Sequence, residues 1–393
     1  MIKKDVELFI VKSVFGGDGF ALHEGKVYFV EGALPGERVL ASVTEEKKNF
    51  SRARIAKILQ SSPHRVEPPC RYASHCGGCQ YQHADYREEL RLKEAQLAEI
   101  LKTVPEITPD KIGPIVASPA DYGYRNSVTL HPILSKKSKT AKLGFIAKDN
   151  VSKIAVQNCL LVDPKLSSIF SKEYTIKKDD KVTFKLSEGS QIVSDSAATF
   201  FRVRLGGESF LTSSRGFFQN NLPVAALLAE KVREWTRSVK PDVFFDLYAG
   251  VGVFSILCAK EVKKIVCVEE SPESVQALRM NREERKMTSL EIMEGRVEKT
   301  FPALWEKEKT ASLAASLVFL DPPRQGITPD LARFLAQNQG MGALVYVSCD
   351  PVTLARDLKL ILSSGRWKFR QVVPFDMFPR TMHLETAAFL TSI

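Results

Sequence analysis

Apolar and polar positions change their rhythm along this chain. Residues 1–60 carry short strand-like runs, Val6 to Val11, Lys26 to Val30 and Arg38 to Val43. Gly16-Gly17-Asp18-Gly19 and Leu34-Pro35-Gly36-Glu37 punctuate them. Runs of this length broken by Gly and Pro predict a small β-barrel. Ser61-Ser62-Pro63 and Pro68-Pro69 mark a boundary. From Asp85 to Lys102, Leu90, Leu97 and Ile100 stand among charges at helical spacing. Residues 113–212 read mainly as strands, for example Ser127 to Leu130 and Lys181 to Leu186.

From about Gln219 strand and helix patterns alternate. A helix is predicted from Pro223 to Val239, then Val243 to Leu247 as a strand and Gly252 to Lys260 as a helix. The series continues through Lys264 to Glu269, Pro272 to Arg285, Leu317 to Leu320, Pro329 to Asn338, Ala343 to Val347 and Pro351 to Leu362. Such alternation predicts a parallel sheet with helices on both faces.

At 393 residues the chain is long for one domain. No apolar run approaches the roughly 20 residues of a membrane span, and the N-terminus is too weakly patterned for a signal peptide. A cytoplasmic location is therefore expected, and the seven cysteines read as ligands, a nucleophile or core residues rather than disulfides. The net charge of +10 fits a nucleic-acid partner. Lys136, Lys137, Lys139 and Lys142 cluster on a predicted hairpin tip, where lysines are either solvated or meet phosphates.

The chemistry concentrates at strand ends. Phe244-Phe245-Asp246-Leu247-Tyr248-Ala249-Gly250-Val251-Gly252 is a strand running into a glycine turn. A helix start behind such a turn favours close approach of a ligand. The third glycine of a dinucleotide fold is missing near Ser255, which disfavours a dehydrogenase. Glu269 ends the next strand, where an acid can accept from ribose hydroxyls. Asp246 would repel a pyrophosphate and suits S-adenosylmethionine better. Asp321-Pro322-Pro323-Arg324 is a second strand end, with prolines holding the chain out of a helix. Cys349 stands at a third, after Val345-Tyr346-Val347-Ser348.

Taken in order, the turn at 246–252, Asp321-Pro322-Pro323-Arg324, Ser348-Cys349-Asp350-Pro351 and His383-Leu384-Glu385-Thr386 resemble the RNA 5-methyluridine (uracil-C5) methyltransferases. The first sixty residues resemble a TRAM domain. Cys70, Cys76, Cys79 and Cys159 resemble the iron–sulfur ligands of the 23S rRNA branch. The resemblance implies Cys349 as nucleophile, Glu385 as base, and Gln219, Tyr248, Gly250, Glu269 and Asp321 as contacts to S-adenosylmethionine. It implies a multidomain fold. An N-terminal OB-like β-barrel (TRAM) would span 1–60. A mainly β central domain with an iron–sulfur loop would span 61–212, its helix 85–103 packing on the next domain. A C-terminal Rossmann-like α/β methyltransferase domain would span 213–393.

A thiolate that adds to C6 of uracil makes C5 nucleophilic, and a base must then remove the C5 proton. Cys349 and Glu385 lie 36 positions apart, so only the fold can join them. Asp350 beside the thiol opposes thiolate formation, and Arg324 or Arg380 would have to offset it. Four cysteines spaced as three plus one fit a 4Fe–4S cluster or tetrahedral zinc, and the resemblance favours the cluster. Cys258 and Cys267 read as packing. Uridine must be flipped out, and Arg125, Asn126, Phe218, Lys136 and Lys137 are the expected RNA contacts. A monomer acting on 23S rRNA is expected. A tRNA uracil-C5 methyltransferase, an exocyclic-amine methyltransferase and a non-catalytic RNA-binding protein are the alternatives.

Overall fold

The computed structural model describes residues 5–134, 140–175, 181–308, 316–338 and 340–393. Its first six strands are β1 (Asp5–Phe9), β2 (Lys12–Ser13), β3 (Gly19–His23), β4 (Lys26–Glu31), β5 (Arg38–Glu46) and β6 (Phe50–Gln60). They form one sheet in the order β1-β5-β6-β4-β3-β2. The two edge strands are consecutive in sequence, so the short link Ile10-Val11 rolls the sheet back on itself. Val6, Leu8, Ala21, Val30, Val39 and Ala53 fill the inside.

Helix α1 (Tyr86–Leu101) is capped by Asp85, whose side chain accepts from Glu88 N–H. Strands β7 (Ser127–Leu134), β8 (Ala141–Ile146), β9 (Lys153–Ala155), β10 (Val182–Leu186) and β11 (Ile192–Ser194) form an antiparallel sheet ordered β11-β10-β7-β8-β9. A hairpin, β12 (Phe200–Leu205) and β13 (Glu208–Ser213), follows.

The last part alternates: α2 (Leu222–Val239), β14 (Val243–Leu247), α3 (Val253–Cys258), β15 (Lys264–Glu269), α4 (Pro272–Glu284), β16 (Leu290–Glu294), α5 (Val297–Glu308), β17 (Ser316–Leu320), α6 (Pro329–Gln337), β18 (Ala343–Ser348), α7 (Pro351–Leu362), β19 (Trp367–Phe375) and β20 (Glu385–Ser392). The sheet order is β16-β15-β14-β17-β18-β20-β19. Each strand sends consecutive apolar residues to opposite faces, which is why its strands read as unbroken apolar runs. Phe245, Val266, Val318 and Tyr346 meet α1, α5, α6 and α7 in one core. Phe244, Ile265, Phe319 and Val345 meet α2, α3, α4 and the β12–β13 hairpin in the other.

The sheet is not all parallel, as the strand–helix alternation predicted. β20 pairs antiparallel with both β18 and β19, because β19 and β20 are joined by a hairpin loop rather than a crossover helix. Its nine residues, 376–384, are pinned from outside. Lys93, buried on α1, donates to Glu89 Oε1 at 2.8 Å, Asp376 Oδ1 at 2.7 Å and Phe378 O at 3.2 Å. Burial works against its charge, but the two carboxylates outweigh this and raise its pKa. Lys93→Ala would leave Asp376 buried without its cation and Glu89 with Arg380 alone. It is expected to lower stability by roughly 3–5 kcal/mol, read as a lower urea unfolding midpoint. An unchanged midpoint would contradict the role given to this ion network.

Candidate active site

Parallel strands deliver their last residues to one edge of the sheet, and an antiparallel strand delivers its first. This gathers the predicted residues. β14 runs into Tyr248-Ala249-Gly250-Val251-Gly252 at the point where the strand order reverses, the usual ligand position in such sheets. Gly250 and Gly252 have φ of 56° and 84°, backbone that favours glycine. A Cβ at Gly252 would lie 2.4 Å from Leu278 Cδ1, whereas one at Gly250 meets nothing within 4 Å. Gly252 thus serves packing, and Gly250 faces open space.

Three carboxylates stand close to this turn. Glu269, the last residue of β15, accepts from the N–H groups of Gly250 and Ser271 at 2.8 Å each. Asp246 Oδ2 accepts from Ser255 Oγ at 2.5 Å and Ser255 N at 3.2 Å, while its buried Oδ1 has no partner among the described residues. Asp321 follows β17 directly. Burial, then the charge of Asp246, pushes Asp321 up to about 7. Burial also pushes Asp246 up to about 7, against the hydrogen bonds from Ser255. The Tyr248 hydroxyl donates to Glu298 at 2.8 Å. Neither Ser255 nor Glu298 was among the residues predicted, since each acts by holding another.

Cys349 follows β18 and Glu385 opens β20. Ser348 pairs with Thr386, so the next step of the same register sets Cys349 beside Glu385. Burial, then the Glu385 charge, pushes the Cys349 thiol up to about 12, with Arg324 opposing. Burial and Asp321 push Glu385 well above the usual carboxylate range, again against Arg324. Arg324 also reaches His383 Nε2 at 3.3 Å. Asp350 is not the obstacle its position in sequence implied. It caps α7, accepting from Val352 N at 2.9 Å and Thr353 N at 3.2 Å, which directs its charge to the positive end of the helix. Arg380 is not the counter-charge: it turns away to Asp121, Glu89 and Ala84 O.

The tRNA (Uracil-5-)-methyltransferase family model matches residues 190–393, and the TRAM domain model matches residues 10–56. An uncharacterized RNA methyltransferase of Bdellovibrio bacteriovorus is 33% identical over 99% of this chain and 95% of its own. The chain belongs to the tRNA (Uracil-5-)-methyltransferase family. The 23S rRNA (uracil(1939)-C(5))-methyltransferase RlmD of Aliivibrio fischeri is 28% identical over 96% of this chain and 94% of its own. The crystal structure of Pyrococcus abyssi tRNA (uracil-54, C5)-methyltransferase with S-adenosyl-L-homocysteine has the same fold, at TM-score 0.73 and 23% identity. It covers 98% of this chain and 100% of its own.

In this uracil-5-methyltransferase the four clustered cysteines also meet. Cys70, Cys76, Cys79 and Cys159 line one cavity of about 60 Å³, together with Arg125. Burial pushes Cys79 up to about 12 and raises Cys76 and Cys159, while Arg125 opposes it in all three. Cys258 and Cys267 are buried in the sheet–helix core.

Three expected RNA contacts turn inward instead. Arg125 faces the thiols. Asn126 is 8% exposed and donates to Gln219 O at 3.1 Å, fixing the loop into α2 that carries Gln219. Phe218, also 8% exposed, packs against Phe210 at 6.2 Å between ring centroids, and its neighbour Phe217 is the one left 71% exposed. Lys136 and Lys137 lie outside the described residues.

The electrostatics predict a slow thiol. Below its pKa Cys349 is mostly uncharged, so its alkylation by iodoacetamide, followed peptide by peptide, should be slow at pH 8 and rise steeply toward pH 10. At the upper end Glu385→Gln should react faster, because no carboxylate then opposes the thiolate. Equal rates in both proteins would contradict the coupling of Cys349 to Glu385.

Proposed function

We propose that this enzyme methylates C5 of a uridine in RNA, with Cys349 as the nucleophile and Glu385 as the base. The observation that carries this is the thiol and the carboxylate side by side at the carboxyl edge of the sheet, next to the acid-lined glycine turn. Cys349 Sγ would bond to C6 and push the ring electrons toward C5. Glu385 would later take the C5 proton, so that the C6–S bond breaks and the ring is restored. Arg324 is the cation within reach of both groups, and it favours the thiolate and the carboxylate forms that these steps need. S-adenosylmethionine, when bound, supplies an electrophilic methyl group to C5. Asp246, Glu269 and Asp321 suit its positive sulfonium and its ribose, Gly250 leaves it room, and Tyr248 and Gln219 stand ready on the flanking loops.

We place the substrate in 23S rRNA, supported by the similarity to the Aliivibrio RlmD along nearly the whole chain. We also propose that Cys70, Cys76, Cys79 and Cys159 hold a 4Fe–4S cluster. They line one cavity together with Arg125. Among the described residues no three such side chains meet as a single-metal site, so the reading rests on the four thiols sharing this cavity and on their three-plus-one spacing. The cluster would brace the fold rather than take part in methyl transfer.

Cys349→Ala should abolish both methyl transfer and any detergent-stable protein–RNA adduct. Glu385→Gln should transfer the methyl group once and then accumulate that adduct, because the C5 proton stays in place. Sustained turnover by Cys349→Ala would sink covalent catalysis. For the cluster, anaerobically purified protein should be brown and carry iron and sulfide, and Cys76→Ser should lose both; colourless protein with stoichiometric zinc would refute it. Mapping 5-methyluridine in rRNA and tRNA after gene deletion identifies the RNA.

A further inference from the structure

The base sits at the end of a loop that the cysteine turn holds. Residues 376–384 carry the chain from β19 to Glu385, and Asp376, Arg380, Thr381 and Leu384 among them are buried. Arg380 takes a left-handed backbone, φ 67°, which for a non-glycine residue persists only when its surroundings enforce it. Those surroundings include two consecutive amides, Gln80 N and Tyr81 N, which donate to Arg380 O at 2.9 and 3.1 Å. The Gln80 side chain works in both directions. Its Oε1 accepts from Met382 N at 3.0 Å, and its Nε2 donates to Gly77 O at 3.0 Å.

Gln80 directly follows Cys79, and Gly77 stands between Cys76 and Cys79. One side chain therefore ties the cysteine turn to a backbone amide three residues from Glu385. The turn is itself fixed from the far side: Gly77 N donates to Ile146 O at 3.1 Å, and a Cβ at Gly77 would lie 3.1 Å from Ala147 O. A change of shape at the thiols has a short path to the base, and little slack on the other side to absorb it.

We propose that Gln80 is a positioning residue for proton abstraction, coupling the geometry of the cysteine turn to the placement of Glu385. The proposal rests on Glu385 being the base. Gln80 touches no reacting atom. It adjusts the approach of Glu385, whose register β20 fixes, to C5, while the glycine turn and the Cys349 loop have anchors of their own in Glu269 and the Asp350 cap.

The test uses the full chain with an RNA transcript labelled with tritium at uridine C5, under single-turnover conditions. Methyl transfer, tritium release and the detergent-stable adduct are followed together. In Gln80→Ala, tritium release is expected to fall roughly tenfold, the weight of one lost hydrogen bond. The adduct should accumulate, while methyl transfer and S-adenosylmethionine affinity stay near wild type. Gln80→Glu, which keeps an acceptor for Met382 N–H but has no donor for Gly77 O, should recover only part of the rate. The proposal is overturned if Gln80→Ala releases tritium at the wild-type rate, or if methyl transfer and tritium release fall in parallel without adduct. Glu385→Gln serves as the control. If it too builds up no adduct, the assignment of the base has failed; if it does and Gln80→Ala does not, only the coupling has failed.

Discussion

The whole site depends on the antiparallel seat of β20 between β18 and β19. Side chains alternate along a strand, so a slip of one residue would exchange its two faces. Here both faces are buried: Ala387 and Phe389 lie in one core, Ala388 and Leu390 in the other. A slip would force differently shaped side chains into close-packed space on both sides at once. Core packing, rather than any contact between the reactive groups, thus sets Glu385 next to Cys349.

The same burial builds an unusual electrostatic field. Asp246, Asp321 and Glu385 raise one another or are raised by burial, and Glu385 raises Cys349 in turn. Arg324 is a cation acting on both the Cys349 thiol and the Glu385 carboxyl. An edge of buried acids so lightly compensated is unfavourable in the free protein. Such an edge is well matched to a ligand that brings positive charge.

Much of this was legible in the sequence, and the parts that were not share a cause. Runs such as Val243 to Leu247 and Ala343 to Val347 are continuously apolar because helices cover both sheet faces, and they were found nearly residue by residue. The β19–β20 hairpin escaped. Pro374 lies inside β19, β20 opens on a glutamate, and a loop of buried polar residues such as Asp376 and Arg380 joins them. The motif residues at strand ends could be placed by type. The roles of Arg125, Asn126 and Phe218 could not, because an arginine facing thiols and one facing phosphates look alike in a sequence. Asp350 misled for a similar reason: adjacency along the chain exaggerated its effect on Cys349, whereas the cap on α7 turns its charge elsewhere.

The loop at 376–384 has a consequence for how separable the parts of this protein are. Its partners Lys93, Glu89, Tyr86 and Tyr124 all precede the region that the family model matches. Leu97, Leu101, Val104 and Ile107 also complete one of the two cores of the catalytic sheet. A fragment cut at the start of the matched region would retain every motif residue at the strand ends, lose the four clustered cysteines, expose that core and strand the buried charges. The six-stranded barrel packs around an apolar interior of its own. Recombination can exchange a piece like the barrel between proteins, whereas the segment from Gln80 to Tyr124 has to be inherited together with the site it supports.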